Sequence, residues 1–265
     1  MTVEALPVGN LLRTWRQRRR LSQLALACDA EISQRHLSFL ESGRAAPSRD
    51  MILHLAEQLD IPLRDRNVLL VAAGFAPIYR ERPLGDPALQ EARKAVDVVL
   101  KGHEPYPALA VDRHWTLVAA NRAVSQLLTG ADPGLLQPPI NVLRLSLHPA
   151  GLAPRIVNLV QWRAHVLARL NRQVEVSADR VLADLLGELR DYPSRSKGRD
   201  TAGVAEFAGV VVPLRLTSAS GVLSFFSTTT VFGTPLDITL SELAIESFFP
   251  ADTATADIMR RLAEV

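Results

Sequence analysis

The chain has 265 residues, of which 48% are hydrophobic and 22% charged, so it can bury a substantial core. No apolar run approaches the roughly 18 residues of a membrane span, and polar and basic residues follow Gly9 too soon for a secretion signal. The single cysteine, Cys28, excludes an internal disulfide. These features predict a cytoplasmic globular protein with Cys28 as a small core residue rather than a redox sensor.

The formal net charge of +2 is unevenly distributed along the chain. Lys and Arg exceed Asp and Glu within residues 1–80, whereas the two classes nearly balance over 81–265. Much of the basic excess crowds the first predicted helix, at about 8–19, and the residues just after it. The arginines concerned are Arg13, Arg16, Arg18, Arg19 and Arg20. Such cations can engage DNA phosphates, but they also suit a solvated helix C-terminus, and both interpretations stay open.

Two short amphipathic helices with a tight link are predicted within residues 21–47. Ser22 can cap the first helix, and Ser33 can cap the second, which runs over 34–41. Apolar residues at helical spacing can form a core shared by both helices: Ala30, Ile32, Leu37 and Leu40. In this arrangement the second helix lies in the major groove of DNA and reads base edges. The sequence therefore predicts a helix-turn-helix that binds double-stranded DNA.

The polar residues of these two helices are the candidates for DNA contact. Gln34 and Arg35 carry hydrogen-bonding groups suited to base edges, whereas Gln23 and Arg44 are predicted phosphate contacts. The full predicted DNA-binding set is Gln23, Gln34, Arg35, His36, Ser38, Phe39 and Arg44. Because one small recognition helix touches few base pairs, we expect a homodimer.

Three short segments of this region carry a family resemblance: Ser22-Gln23, Ile32-Ser33 and Glu41-x-Gly43-Arg44. They resemble the repressor-like XRE family of helix-turn-helix proteins. The resemblance implies an all-α, five-helix repressor-like DNA-binding domain and a structural pairing of Arg16 with Glu41. Relatives usually have Gly in the turn where this chain has Glu31. We therefore expect a distorted turn or a strained Glu31.

Two further helices complete the first predicted domain. One starts at Pro47-Ser48 and is stopped by Pro62, and the next covers 65–73 and ends at Gly74. Proline and glycine then become frequent. The predicted organisation is a helix-turn-helix domain over 1–80, a linker over 81–104 with a helix at 89–100, and a second domain over 105–265.

The second domain mixes short strands with helices. The predicted strands are 109–112, 115–119, 210–216, 222–232 and 238–249. The predicted helices are 121–128, about 154–173, and 179–189, and the polar segment 194–201 is predicted to be a loop. Their order predicts an α+β domain with an antiparallel sheet and helices packed on one face.

Three sequence segments of this domain occur in a recognisable order: NRAV after a short hairpin, LHPAGLAPRIVNLVQWR, and LSFFSTTTVFGTPLDITLSELAIESFFPAD. They resemble the MmyB-like ligand-binding domain, which is PAS-like and follows a helix-turn-helix in bacterial transcription regulators. The resemblance implies a pocket for a fatty acid or a similarly apolar small molecule.

Ligand cavities are mainly apolar, with a few placed polar groups. The predicted ligand-binding residues are Trp115, Trp162, Arg163, Phe225, Phe226 and Phe248. The aromatic residues among them could instead fill the core. A ligand carboxylate would need a cation or a hydrogen-bond donor, and the residue types available for this are Arg122, Arg155, Arg163 and His165.

The sequence offers little for catalysis. It contains no Gly-x-Ser-x-Gly turn, no phosphate-binding glycine-rich loop and no His-Glu-x-x-His helix. The six histidines are scattered singly, so we predict no catalytic residues, no metal site and no cofactor besides a bound apolar ligand. Several carboxylates lie in strand candidates, where alternation is expected to expose many of them: Asp112, Asp237, Glu242 and Glu246.

These observations predict a transcription regulator that binds DNA and senses a small apolar ligand. The alternative is a DNA-binding protein whose second domain serves only for dimerisation or partner docking. A closed pocket would favour the sensor, whereas a solid core with an exposed apolar sheet would favour the interaction module.

Overall fold

The structure, a computed structural model, describes residues 6–193, 212–233 and 237–264. These residues form two compact units. The first unit contains the described residues of 1–83 and 234–241, and the second contains those of 84–233 and 242–265.

The first unit is built from five helices, as the sequence predicts. They are α1 (Val8–Arg18), α2 (Gln23–Asp29), α3 (Gln34–Glu41), α4 (Arg49–Gln58) and α5 (Leu63–Ala72). Serine hydroxyls cap three of them, because Ser22, Ser33 and Ser48 each accept a hydrogen bond from the backbone N–H three residues later. The helices share one apolar core, whose fully buried members include Leu12, Leu26, Leu37, Ile52, Leu55 and Leu70.

The turn between α2 and α3 shows the strain that was expected at Glu31. This residue has a φ of 52°, in the left-handed region that favours glycine. The turn itself is well formed, because Glu31 N donates to Cys28 O and Ile32 N donates to Ala27 O. The strain is therefore confined to one residue and costs about 1–2 kcal/mol.

Cys28 lies on the surface, so its assignment to the core was wrong. The buried residues of α2 are Leu26 and Ala27, followed by Ala30 at its C-cap. One helical step of about 100° separates Cys28 from Ala27, which is enough to turn its side chain to solvent.

Twelve elements follow along the chain. They are α6 (Gln90–Gly102), β1 (Ala108–Val111), β2 (Leu117–Ala120), α7 (Arg122–Leu127), α8 (Val142–Leu147), α9 (Leu159–Ser177), α10 (Arg180–Asp191), β3 (Leu214–Ser218), β4 (Gly221–Val231), α11 (Ile238–Ser241), β5 (Ala244–Pro250) and α12 (Thr253–Ala263). Short 3-10 helices lie at Pro87–Leu89, Pro133–Leu136 and Ala153–Arg155. All belong to the second unit except α11, which groups with the first.

The second unit is α+β, and its five strands form one antiparallel sheet in the order β2-β1-β5-β4-β3. The strands β3, β4 and β5 form the predicted meander. The β1–β2 hairpin extends it, since β1 pairs with β5. This places β5 between two neighbours in the interior of the sheet.

Helices cover both faces of this sheet, although the sequence predicted helices on one face only. Alternate residues of β1 enter different hydrophobic clusters. Val111 packs with the cluster that contains α9 and α10, whereas Ala108 and Ala110 pack with Val96 and Leu100 of α6. The helix predicted as part of a linker therefore buries an apolar face against the sheet.

Two predicted boundaries were also wrong. The long helix begins at Leu159 rather than near 154, because Asn158 holds the preceding chain against β3: its amide donates to Pro213 O, and its oxygen accepts from Arg215 N. The predicted strand 238–249 is split, since Asp237 accepts a hydrogen bond from Thr239 N and starts α11 before β5 begins. The predicted loop 194–201 and residues 210–211 of a predicted strand lie outside the described residues.

Candidate DNA-binding surface and ligand pocket

The N-terminal residues of α3 form an accessible polar surface. Gln34 and Arg35 are exposed, whereas His36, Ser38 and Phe39 are half-buried. The cap from Ser33 fixes the residue at which α3 begins, and so fixes the position of these side chains on the helix. The surface therefore leaves the residues predicted to read base edges, Gln34 and Arg35, open to solvent, and base reading by them stays a prediction.

Two arginines flank an aromatic ring on this surface. The guanidinium of Arg35 lies 5.3 Å from the ring centroid of Phe39, and that of Arg44 lies 5.9 Å from it. Cation–π contact of this kind positions a guanidinium while leaving its N–H groups available to other acceptors. The three predicted DNA-binding residues Arg35, Phe39 and Arg44 are thus brought together as one cationic patch.

The recognition helix is anchored by the predicted pair of Arg16 and Glu41. Arg16 Nε lies 2.6 Å from Glu41 Oε1, and Arg16 Nη2 lies 2.9 Å from Glu41 Oε2. The two residues are 8% and 5% exposed. Burial by itself would raise the pKa of Glu41, but the hydrogen bonds from Arg16 and Gln23 outweigh it and hold that pKa below its usual value. The pair is structural and joins α1 to the end of α3.

Gln23 belongs to the same network. Its side-chain amide donates to Glu41 Oε2 over 2.8 Å, and the residue is half-buried. This contact gives Gln23 a structural partner, and its phosphate contact stays a prediction.

The arginines of the first helix and its end divide into two groups. Arg19 donates to the carbonyl oxygens of Leu59 and Asp60, which ties it to the end of α4. Arg13, Arg18 and Arg20 are exposed, and phosphate contact by them stays a prediction.

The second unit contains a cavity of about 100 Å³ between the sheet and helices α7, α8 and α9. Leucine and valine side chains and two tryptophans make up most of its wall. The polar residues in the wall are Ser146, His165, Arg169, Ser227 and Glu246. An apolar cavity with a few polar groups is the usual form of a small-molecule site.

The charged residues of this wall form an ion pair. Arg169 Nη2 lies 2.5 Å from Glu246 Oε1, and Arg169 Nη1 lies 3.2 Å from Glu246 Oε2. Thr229 joins them, since its hydroxyl donates to Glu246 Oε1 and accepts from Arg169 Nη2, each over 2.7 Å. Glu246 is only 4% exposed, contrary to the expectation from strand alternation, because α9 packs over this face of β5 and places Arg169 against the carboxylate. Asp237 is also only 4% exposed.

The aromatic side chains of the wall are held by polar contacts. Trp162 Nε1 donates to Ser146 Oγ over 2.9 Å, and Trp115 Nε1 donates to Gln173 Oε1 over 2.8 Å. The imidazole of His165 stacks on Trp162 with centroids 5.6 Å apart. Burial, reinforced by the positive charges of Arg169 and Arg172, lowers the pKa of His165, so this imidazole is neutral near pH 7.

Of the predicted ligand-binding residues, Trp115, Trp162 and Phe248 line the cavity. Phe225 is fully buried and meets Phe248 edge to face, and Phe226 stacks on Phe249.

The arginines proposed to receive a carboxylate are engaged elsewhere. Arg163 donates to the carbonyl oxygens of Leu189 and Arg190, Arg155 donates to three backbone carbonyls, and Arg122 pairs with Glu104. His165 is the one member of that group of four found in the described wall.

Arg169 and Glu246 were missed by the sequence analysis. Arg169 follows His165 by four positions and Trp162 by seven, which places all three on one face of α9. That spacing is the signal that could have identified Arg169. Glu246 has no comparable local signal, because its place in the wall depends on strand pairing.

The MmyB-like transcription regulator ligand binding domain family matches residues 92–262, which is more than half of the chain. The chain belongs to this family. A helix-turn-helix domain family matches residues 7–69. The MmyB-like match includes every described residue of the cavity wall, and the helix-turn-helix match includes α1, α2 and α3. The protein is thus a DNA-binding transcription regulator with a ligand-binding domain. No curated protein gave a match in a sequence comparison.

None of the helices formed by the described residues has the length and apolar character needed to cross a membrane. Within the same residues, no group of three or more His, Cys, Asp or Glu side chains is placed to hold a metal ion.

Proposed function

We propose that the MmyB-like domain binds a fatty acid or a comparable amphiphile, and that this binding changes the affinity of the helix-turn-helix for its operator. The apolar cavity beneath Trp115 and Trp162 is the observation that carries the proposal. Each methylene buried in such a wall contributes about 0.8 kcal/mol, so a chain-like ligand gains affinity with length until the cavity is full.

The size of the cavity links ligand binding to a change of conformation. At about 100 Å³ it is smaller than an apolar cavity of about 150 Å³, which accepts a benzene molecule. The cavity is only partly enclosed, so a long chain fits within it in part and needs side chains of the wall to move apart before it can enter fully. The ligand then binds the open arrangement better than the closed one, which is the condition for shifting an equilibrium between two states.

The DNA half of the proposal rests on α3. Arg35 and Gln34 are exposed at its N-terminal end, and the Arg16–Glu41 pair fixes the other end. We propose that Arg35 and Gln34 read base edges and that two copies bind an inverted repeat as a homodimer. The repressor-like resemblance of the motif residues supports this arrangement.

The second candidate function is a dimerisation or docking module without a ligand. Helix α6 leaves Val98 70% exposed, which is a feature that a partner could cover. The cavity favours the sensor, because a domain used only for docking has no need of an apolar space inside its core.

Fatty acids of graded length, titrated against the delipidated full chain, test the ligand half. We expect affinity to rise with chain length and then level off. Leu117→Trp fills the cavity from β2 and should abolish binding, whereas Val118→Trp, one residue along the strand and outside the described wall, should leave binding intact. Absence of binding at every length would leave only the docking function.

A further inference from the structure

We infer that the pocket selects an amphiphile with an uncharged polar head over the corresponding carboxylate. This inference rests on the proposed function, because it assumes that the cavity holds a chain-like ligand. It names the class of that ligand: a fatty alcohol, ester or amide. Three features of the described wall carry it.

The first feature is that Arg169, the only arginine of the described wall, is already paired with a carboxylate of the protein. Both terminal nitrogens of Arg169 contact Glu246, and one of them also contacts Thr229. A ligand carboxylate that displaced Glu246 from this guanidinium would leave a buried charge without a partner. If it joined the pair instead, it would place a second negative charge beside Glu246.

The second feature is that the neighbouring imidazole adds no positive charge. His165 lies on α9 between Trp162 and Arg169 and is stacked on the indole of Trp162. The charged groups that act on it are Arg169, Arg172 and Glu246, and the balance of burial and positive charge favours its neutral form. The polar groups of the described wall therefore carry no net charge near pH 7.

The third feature is that the remaining hydrogen-bonding capacity belongs to neutral groups. The indole N–H groups of both tryptophans are used within the protein. Ser146 accepts the hydrogen bond from Trp162, which leaves its own hydroxyl proton free to donate. Ser227 and His165 add a second hydroxyl and an imidazole to the wall. These groups suit a hydroxyl, ester or amide oxygen, none of which needs a counter-charge.

A head-group comparison at constant chain length tests the inference. Dodecanoate, 1-dodecanol and dodecanamide are competed against the uncharged fluorophore N-phenyl-1-naphthylamine on the delipidated full chain near pH 7.5. The alcohol and the amide should bind about tenfold or more tightly than the carboxylate, since only the carboxylate disturbs the buried pair. Equal or tighter binding of dodecanoate would overturn the inference but keep the proposed function. Failure of all three to bind would remove the proposed function itself.

A charge-removing variant tests the cause of the selectivity. Glu246→Gln keeps the shape of the side chain and frees the charge of Arg169, so the affinity for dodecanoate relative to 1-dodecanol should rise about tenfold. The control is Glu175→Gln, which removes an exposed carboxylate from the same helix as Arg169 and should alter neither affinity. Unchanged head-group preference in folded Glu246→Gln protein would overturn the inference. Should that variant fail to fold, the comparison on the native chain still decides the question.

Discussion

Arg16 and Glu41, 25 positions apart, make two side-chain hydrogen bonds that join the first helix to the end of the recognition helix. Both are buried, and Gln23 adds a third hydrogen bond to the carboxylate. The position of α3 therefore depends on a polar contact as well as on the apolar core.

Removal of one partner should be costly. Glu41→Ala leaves the Arg16 guanidinium buried and unpaired, so the free energy of unfolding should fall by about 3–5 kcal/mol, measured by urea denaturation. Glu57→Ala, at an exposed site on α4, is the control and should change stability little. The double variant Arg16→Met with Glu41→Leu should recover most of the loss. A loss in Glu41→Ala no larger than in Glu57→Ala would show that the pair does not support the domain.

The same pair predicts a dependence of stability on pH. The pKa of Glu41 in the folded protein lies below the unfolded value of about 4.5. Its contribution is therefore present above pH 4.5 and is lost as the pH falls through the folded pKa. Denaturation measured across this range should show a smaller acid sensitivity in the double variant than in the native chain. Identical pH profiles would contradict the assignment of this carboxylate.

Replacement of Glu31 by glycine is expected to raise the stability of the protein rather than lower it. Gly at this position adopts a positive φ without strain, so the substitution removes a strain of about 1–2 kcal/mol. This gain in stability exceeds the entropic cost of fixing a glycine by up to about 1 kcal/mol. Glu31→Gly should therefore raise the melting temperature slightly. Glu31→Ala, which keeps the Cβ atom, should not. A lower melting temperature in the glycine variant would mean that the turn is not strained.

The two arginines beside Phe39 should differ in their effects on DNA binding. Arg35→Ala should weaken binding to a selected operator by about 1–3 kcal/mol and relax the preference at one base position. Arg44→Ala removes a predicted phosphate contact, so it should weaken binding to all DNA sequences by a similar factor and make the binding affinity less dependent on salt concentration. Binding to a panel of single-base operator variants separates these outcomes. If the Arg35→Ala variant kept the same base preference as the native chain, Arg35 would not be a base-reading residue.

The proposed homodimer predicts the form of the operator. Selected DNA sites should be inverted repeats whose half-site centres lie roughly 34 Å apart, or a multiple of that distance. Footprinting and light scattering of the complex measure the spacing and the stoichiometry. Isolated half-sites bound by one copy would exclude the symmetric arrangement.

The first unit was predictable because its signals are local. Serine caps, the apolar spacing of Leu37 and Leu40, and proline and glycine at the helix ends all act within a few residues of one another. The Arg16–Glu41 pair came from family resemblance rather than from local pattern. Cys28 shows the limit of local reasoning, since one step around α2 decides between core and solvent.

The polar end of the pocket could not be predicted, because it is made by contacts that are distant in sequence. Arg169 and Glu246 lie 77 positions apart and meet only when β5 is placed in the interior of the sheet. Strand alternation says which residues share a face, but it does not say whether helices cover that face. The packing of α6 and α9 on opposite faces decides this burial, and a single strand carries no sign of it.

The most direct test of ligand-responsive DNA binding is the affinity of the full chain for a selected operator, measured by fluorescence anisotropy with and without saturating 1-dodecanol or dodecanoate. Ligand should change the operator dissociation constant by about 5- to 150-fold, corresponding to a coupling of about 1–3 kcal/mol. Leu117→Trp should lose this response, and Val118→Trp should keep it. Tight binding of either amphiphile with no change in operator affinity would contradict the proposal that the MmyB-like domain regulates DNA binding.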